Sequence, residues 1–176
     1  MNRTQLEHII RASAAICGGD RFVIIGSQAI LGQFPAPPPE LVTSVEADVY
    51  SVRSPADTDL IDGSIGEGSP FHRAFGYYAH GVAEETAVLP PGWKDRLIPL
   101  RTPGTGNATG LCLEVHDLAA AKLACGRDKD ILYVSALLRH RLADAAVIQD
   151  RISRLQPPYP ELCAPRLARS IAGARV

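Results

Sequence analysis

Glu46 and Asp48 stand two residues apart in Ser44 to Val52, a stretch whose apolar and polar residues alternate. On an extended chain, residues two apart project from one face with Cα atoms about 6.6–7 Å apart. Carboxylates placed that way can converge on one cation, or on two set about 3.5–4 Å apart. Side by side they repel each other, and a divalent cation relieves the repulsion. A ligand set made only of oxygen favours Mg²⁺ or Mn²⁺ over Zn²⁺. The opposite face, Val45, Ala47 and Val49, decides which side the acids occupy, because a one-residue slip would bury both. Upstream, Gly26-Ser27 follow the apolar run Phe22-Val23-Ile24-Ile25. Gly26 lets backbone approach a phosphate closely, and Ser27 offers a hydroxyl and an N–H at the start of a helical turn. A strand, a Gly-Ser turn and a second strand with paired acids suit a nucleoside triphosphate. The turn would hold the phosphates and the acids a bridging metal. Each feature alone has a plain structural account: acids on the solvent face of an edge strand are common, and a Gly-Ser pair says little. Their order points to function.

A lysine adds to the pattern. Only Lys94, Lys122 and Lys129 among the 18 basic residues are lysine. On a helix running from Asp117, the apolar stripe Leu118, Ala121, Cys125 includes Lys122. A buried ammonium must snorkel to the rim or meet an anion, and a triphosphate is a natural one. Asp117 reads as a helix N-cap. Asp128, Lys129 and Asp130 open the next helix, where acids complement the macrodipole.

Other constellations are weaker. Asp57, Asp59 and Asp62 with Gly63 lack the ligand spacing of a calcium loop. His72 and His80 lie eight apart in a strand-like region with no third zinc ligand at sensible spacing. His116 adjoins Asp117 without a nucleophile elbow. Gly63, Gly66 and Gly68 form no dinucleotide fingerprint. Tyr77, Tyr78 and Trp93 have the rings to stack a base, but such residues more often serve a core.

The elements that position these residues can be read in order. Thr4 to Glu7 resembles a capping box with Thr4 as N-cap. Leu6, Ile9, Ile10, Ser13 and Cys17 follow at helical spacing and Gly18-Gly19 ends the helix. Phe22 to Ile25 is a buried strand, Gln28 to Leu31 starts a short helix, and Ala36 to Glu40 is a proline loop. Strand Ser44–Val52 comes next, then one or two helical turns over Asp57 to Gly68. Phe71 to Val82 and Arg96 to Arg101 read as strands, punctuated by Pro90-Pro91-Gly92 and Pro103 to Gly106. From Asp117 the pattern is helical through Leu155, stopped by Pro157-Pro158, with a last short helix broken near Pro165. Strands early and helices late predict an α+β fold, with a core over residues 1–116 and a helical part over 117–176 packed on it as one compact domain.

Composition sets bounds. The chain has 176 residues, 46% hydrophobic and 21% charged, with net charge −1. That suits a globular protein with an ample core and argues against wholesale coating of nucleic acid. No apolar run approaches the roughly 18–20 residues that cross a bilayer, so no membrane association is expected. The start of the chain lacks a secretory pattern, which makes the cytoplasm the default. Cys17, Cys112, Cys125 and Cys163 form no CxxC pair and read as small hydrophobes.

Ile25-Gly26-Ser27 followed by Glu46-Ala47-Asp48-Val49 resembles the h-G-[GS] … [DE]-h-[DE]-h signature of the DNA-polymerase-β-like nucleotidyltransferase superfamily. Asp117 to Asp130 (DLAAAKLACGRDKD) resembles the later motifs of AbiEii-like toxin nucleotidyltransferases and is similar to an uncharacterised bacterial branch of that group. The resemblance implies a minimal nucleotidyltransferase fold, a mixed sheet flanked by helices. By it, Gly26 and Ser27 would hold the triphosphate of an NTP substrate, and Glu46 and Asp48 would bind Mg²⁺ or Mn²⁺. Lys122 would contact the phosphates and Asp130 would be the late catalytic acid. A hydroxyl of RNA (tRNA among them) or of a protein would accept the nucleotide. The resemblance also implies a toxin–antitoxin or phage-defence setting with a cognate antitoxin. The chain departs from the pattern in three ways. Glu46 replaces the usual Asp, the interval from Ser27 is longer, and the toxins' K-x3-H element is missing, since Ile98 follows Lys94 at that offset. Glu114, on a plausible strand, is the candidate third carboxylate. Two other readings stand beside this one: a nucleotide-binding or protein-interaction module of the same fold without turnover, and a metal-dependent phosphohydrolase that leaves Gly26-Ser27 idle.

Overall fold

The computed structural model describes residues 1–175. They form two compact units, Met1–Thr86 with Leu97–Leu113, and Ala87–Arg96 with the chain from Glu114 onward. The class is α+β, as expected, with a five-stranded mixed sheet and eight α-helices among the described residues.

The sheet lies in the first unit. Helix α1 (Arg3–Cys17) buries the expected stripe of Leu6, Ile9, Ile10, Ser13 and Cys17. Its N-cap is Asn2 rather than Thr4: the Asn2 side chain accepts from Gln5 N while Gln5 reaches back to Asn2 N. Asparagine caps as well as threonine does, and Gln5 completes the box two residues earlier. Gly18 closes the helix at φ 67°. Strand β1 (Arg21–Ile24) is followed by a 3₁₀ turn over Ser27–Ala29 and by helix α2 (Ile30–Gln33). Strand β2 (Glu46–Ser51), helix α3 (Asp57–Ile65), helix α4 (Pro70–Phe75) and strand β3 (Tyr78–Gly81) come next. Strands β4 (Ile98–Leu100) and β5 (Thr109–Cys112) complete the unit.

The strand order is β3-β2-β1-β5-β4, with β1 antiparallel to β2 and parallel to β5, β2 parallel to β3, and β4 antiparallel to β5. Strand β2 is therefore interior, so its acids are not the routine decoration of an edge. Ala47 and Val49 are buried as expected, but Val45 is 46% exposed because it precedes the strand. Tyr50, on the acids' face, is buried as well.

Phe71 to Val82 is only half strand. Ser69 accepts from His72 N, Pro70 sits in the first turn and Gly76 caps the far end at φ 75°, which makes residues 70–75 a helix. Serine cap, proline and left-handed glycine are the punctuation of a short helix, and they outweigh the β propensity of the aromatic residues.

The second unit is helical: α5 (Val115–Cys125), α6 (Asp128–Arg139), α7 (Ala145–Ser153) and α8 (Tyr159–Ala174). The N-cap of α5 is Glu114, whose side chain accepts from His116 N and Asp117 N. Glu114 is thus not on a strand, and Asp117 is not the cap but a buried residue of the first turn. Helix α8 runs unbroken through Pro165, anchored by buried Cys163, Leu167 and Ser170. Arg166 Nη1 donates to Leu123 O and Ala124 O at 2.7 and 2.9 Å, closing the C-terminal turn of α5. Cys17, Cys112 and Cys163 are buried, whereas Cys125 is exposed beside the Gly126 cap, where the helix ends and its apolar stripe runs out.

Candidate functional site

Register places the acids. In the parallel pair β2–β3, Glu46 lies opposite Tyr78 and Asp48 opposite His80. Tyr78 OH donates to Glu46 Oε2 at 2.7 Å. His80 Nδ1 lies 3.2 Å from Asp48 Oδ1 and 3.6 Å from Glu46 Oε1. Helix α3 fixes β3 from its other edge. Gly81 N donates to Asp62 Oδ1 at 2.8 Å and Thr58 Oγ1 to Val82 O at 3.3 Å. A Cβ on Gly81 would overlap Thr58 O, so only glycine permits this approach. A cavity of about 370 Å³ opens here, lined by Glu46, Asp62, Glu67, Tyr78 and His80.

Gly26 faces Asp48. Ile25 N donates to Asp48 O at 3.1 Å, carrying the β1–β2 pairing up to the turn. A Cβ on Gly26 would overlap Asp48 Oδ2 and lie 2.9 Å from its Cγ. The glycine is required by the carboxylate seated against it, not by its φ of −78°. Gln28 Nε2 donates to Ser44 O at 3.0 Å and ties the turn that begins at Ser27 to the approach of β2.

The electrostatics follow from this crowding. Burial, and then the charge and hydrogen bond of Glu46, push the Asp48 carboxyl up to about 6, while His80 pulls it part of the way back. Burial and the bond to Glu46 also raise the Tyr78 hydroxyl. A divalent ion fits here by the chemistry of the donors: Glu46, Asp48 and His80 each offer an atom, all within 4.8 Å of one another. Its charge would offset the burial and the Glu46 repulsion that together hold Asp48 up. Beside the two carboxylates the sequence pointed to, the cluster offers a nitrogen, on His80. In the sequence His80 has no third zinc ligand at sensible spacing, and Tyr78 reads as a core residue whose ring could also stack a base. Their two-residue spacing on one strand face was the available signal. Glu67 carried none, and Asp62 stood out only in a stretch that lacks calcium-loop spacing.

Lys122 and Asp130 belong to the second unit and meet there, with Nζ 3.3 Å from Asp130 Oδ1 and 5.1 Å from the Tyr133 ring centroid. The anion beside this lysine is a carboxylate of the chain itself. Asp130 is 1% exposed and also takes Arg127 Nε at 2.6 Å. Burial acts to raise its carboxyl, but the Arg127 hydrogen bond and the Lys122 charge outweigh it and the net shift is downward. Asp117, fully buried, accepts Arg96 Nε at 2.8 Å and Nη2 at 3.0 Å, with Arg151 Nε 3.2 Å from Oδ1. Its role is to clamp the Ala87–Arg96 segment to the helices of this unit. Glu114, the candidate third acid, accepts from His116 Nδ1 at 2.7 Å besides capping α5, so its carboxylate is committed to the helix end.

A mixed five-stranded sheet with helices, and paired acids beside a Gly-Ser turn, are consistent with the minimal nucleotidyltransferase fold. Residues 5–155 match the family described as "Nucleotidyltransferase of unknown function (DUF6036)", and the chain belongs to that family. No curated protein and no solved structure matches it. Among the described residues, no helix is long and apolar enough to cross a membrane.

Proposed function

We propose that the protein is a metal-dependent nucleotidyltransferase that moves a nucleoside monophosphate from an NTP to a hydroxyl of RNA or of a protein. The observation that carries this reading is the seating of Asp48 between the Gly26 backbone and His80, with Glu46 beside it. Family membership supports the class of reaction.

In this reading Glu46 and Asp48 hold Mg²⁺ or Mn²⁺, and Gly26 and Ser27 receive the triphosphate. The bound metal supplies Lewis-acid polarisation of the phosphoryl oxygens. The acceptor oxygen forms a new bond to the α-phosphorus as the bond to the β-phosphate oxygen breaks. Pyrophosphate leaves and the hydroxyl proton is released. The protein's share is positioning and charge neutralisation. The setting we propose, on the resemblance of the motifs, is a toxin–antitoxin or phage-defence system with a cognate antitoxin as partner.

The test is incubation with each labelled NTP, Mg²⁺ or Mn²⁺, total tRNA and candidate proteins. Label entering RNA or protein, and lost in Asp48→Ala, supports transfer. Tight NTP binding with no label transferred overturns transfer in favour of a binding module, and phosphate release without an adduct overturns it in favour of hydrolysis. In thermal melting, an NTP with Mg²⁺ at about 100 times its Kd adds about 2.7 kcal/mol, and Asp48→Ala should remove most of that shift.

A further inference from the structure

The metal-dependent reading names two carboxylates as ligands, and the geometry points to a third ligand of another kind. We infer that His80 is a ligand of the same ion, so that the site is a Glu-Asp-His triad selective for Mn²⁺ over Mg²⁺. This rests on the proposed metal site of Glu46 and Asp48 and extends it.

Three observations carry the inference. The β2–β3 register sets His80 directly across from Asp48, and residues two apart on each strand share a face. His80 Nδ1 stands 3.2 Å from Asp48 Oδ1 and 3.6 Å from Glu46 Oε1. Two donors each about 2.1 Å from one ion, at right angles, lie about 3 Å apart, so these separations suit adjacent positions of a single coordination sphere. The strand that carries His80 is also fixed independently of the acids, by Asp62 and Thr58 of α3.

The selectivity follows from ligand chemistry. Imidazole binds first-row transition ions well, whereas Mg²⁺ demands hard oxygen donors and keeps its waters. An acid at this place would leave the site to Mg²⁺, and a histidine shifts it toward Mn²⁺. The competing account makes His80 an orienting partner that only hydrogen-bonds Asp48. Orienting groups affect every ion through the same carboxylate, so the ratio of two ions separates the accounts.

The experiment measures Mn²⁺ binding to the purified protein by electron paramagnetic resonance, without nucleotide, and Mg²⁺ by competition. His80 is half exposed, and circular dichroism verifies that its variants fold. His80→Ala should weaken Mn²⁺ at least about tenfold, while Mg²⁺ changes less than about threefold. His80→Asp should strengthen Mg²⁺ binding relative to the unmutated protein and flatten the preference. Equal losses for both ions in His80→Ala would overturn the inference and leave the carboxylate site standing. Absence of Mn²⁺ binding in the unmutated protein would overturn the metal site itself. Metal binding with the expected ratios but no nucleotide transfer would refute the proposed reaction alone.

Discussion

Asp48→Asn should stabilise the protein in the absence of metal, and only at higher pH. The variant keeps the size and shape of the side chain and removes its charge. In the folded protein the Asp48 carboxyl is pushed up to about 6 from an ordinary 3.8, because it is mostly buried and sits beside Glu46. A raised carboxyl means that the native state binds more protons than the unfolded chain between those two values. Stability therefore falls as pH rises through that window, and the whole penalty is present above it. About 2 pH units at 1.36 kcal/mol each set a ceiling near 3 kcal/mol. The side chain is 27% exposed and its charge partly screened, so a gain of about 1–2 kcal/mol is expected for the variant at pH 8. The assay is urea denaturation of both proteins in EDTA from pH 4 to pH 8. The two stabilities should coincide near pH 4 and separate on the way to pH 7. Millimolar Mn²⁺ should stabilise the unmutated protein and close the gap, because a cation relieves the same repulsion. A difference that stays constant across the range, or a variant less stable than its parent at pH 8, would refute the claim that Asp48 is held ionised at a cost.

Further substitutions test the framework. Gly26→Ala drives a Cβ into the Asp48 carboxylate and should cost about 1–3 kcal/mol in urea denaturation. In an Asp48→Ala background most of that cost should vanish, and an unchanged cost would locate the clash elsewhere. Asp117→Ala leaves Arg96 and Arg151 without their shared buried anion and should cost about 3 kcal/mol, whereas a loss below about 1 kcal/mol would show that the clamp is idle. Asn2→Ala should lower stability by about 1 kcal/mol, with Thr4→Ala near neutral, and the reverse order would restore Thr4 as the cap.

Local chemistry made much of this protein readable from its residues. The stripe of Leu6, Ile9, Ile10, Ser13 and Cys17 defined one face of α1, because a helix repeats within a few residues. Alternation around Ala47 and Val49 set the acids on the opposite face of β2 from the core, because side chains of a strand alternate. The Gly-Ser turn was visible as a break after an apolar run, although the reason for Gly26 was not. It answers to a carboxylate 22 residues away in the chain rather than to its own backbone angles.

Strand pairing was beyond local reading. His80 and Tyr78 lie 32 residues from the acids they meet, and nothing in their own neighbourhood says that β3 runs parallel to β2 or in which register. That choice is made by the helices between them. Helix α4 takes up residues that resemble a strand, and α3 closes on Gly81 where only a missing side chain lets it. The same holds for Glu114 and Asp117, whose spacing suggested a strand acid and a cap until helix packing made one the cap and the other a buried anchor for two arginines. Periodicity is enforced by covalent geometry, so a few residues suffice to write it. Which surfaces face each other is settled by burial summed over the whole chain, and only the folded molecule holds that sum.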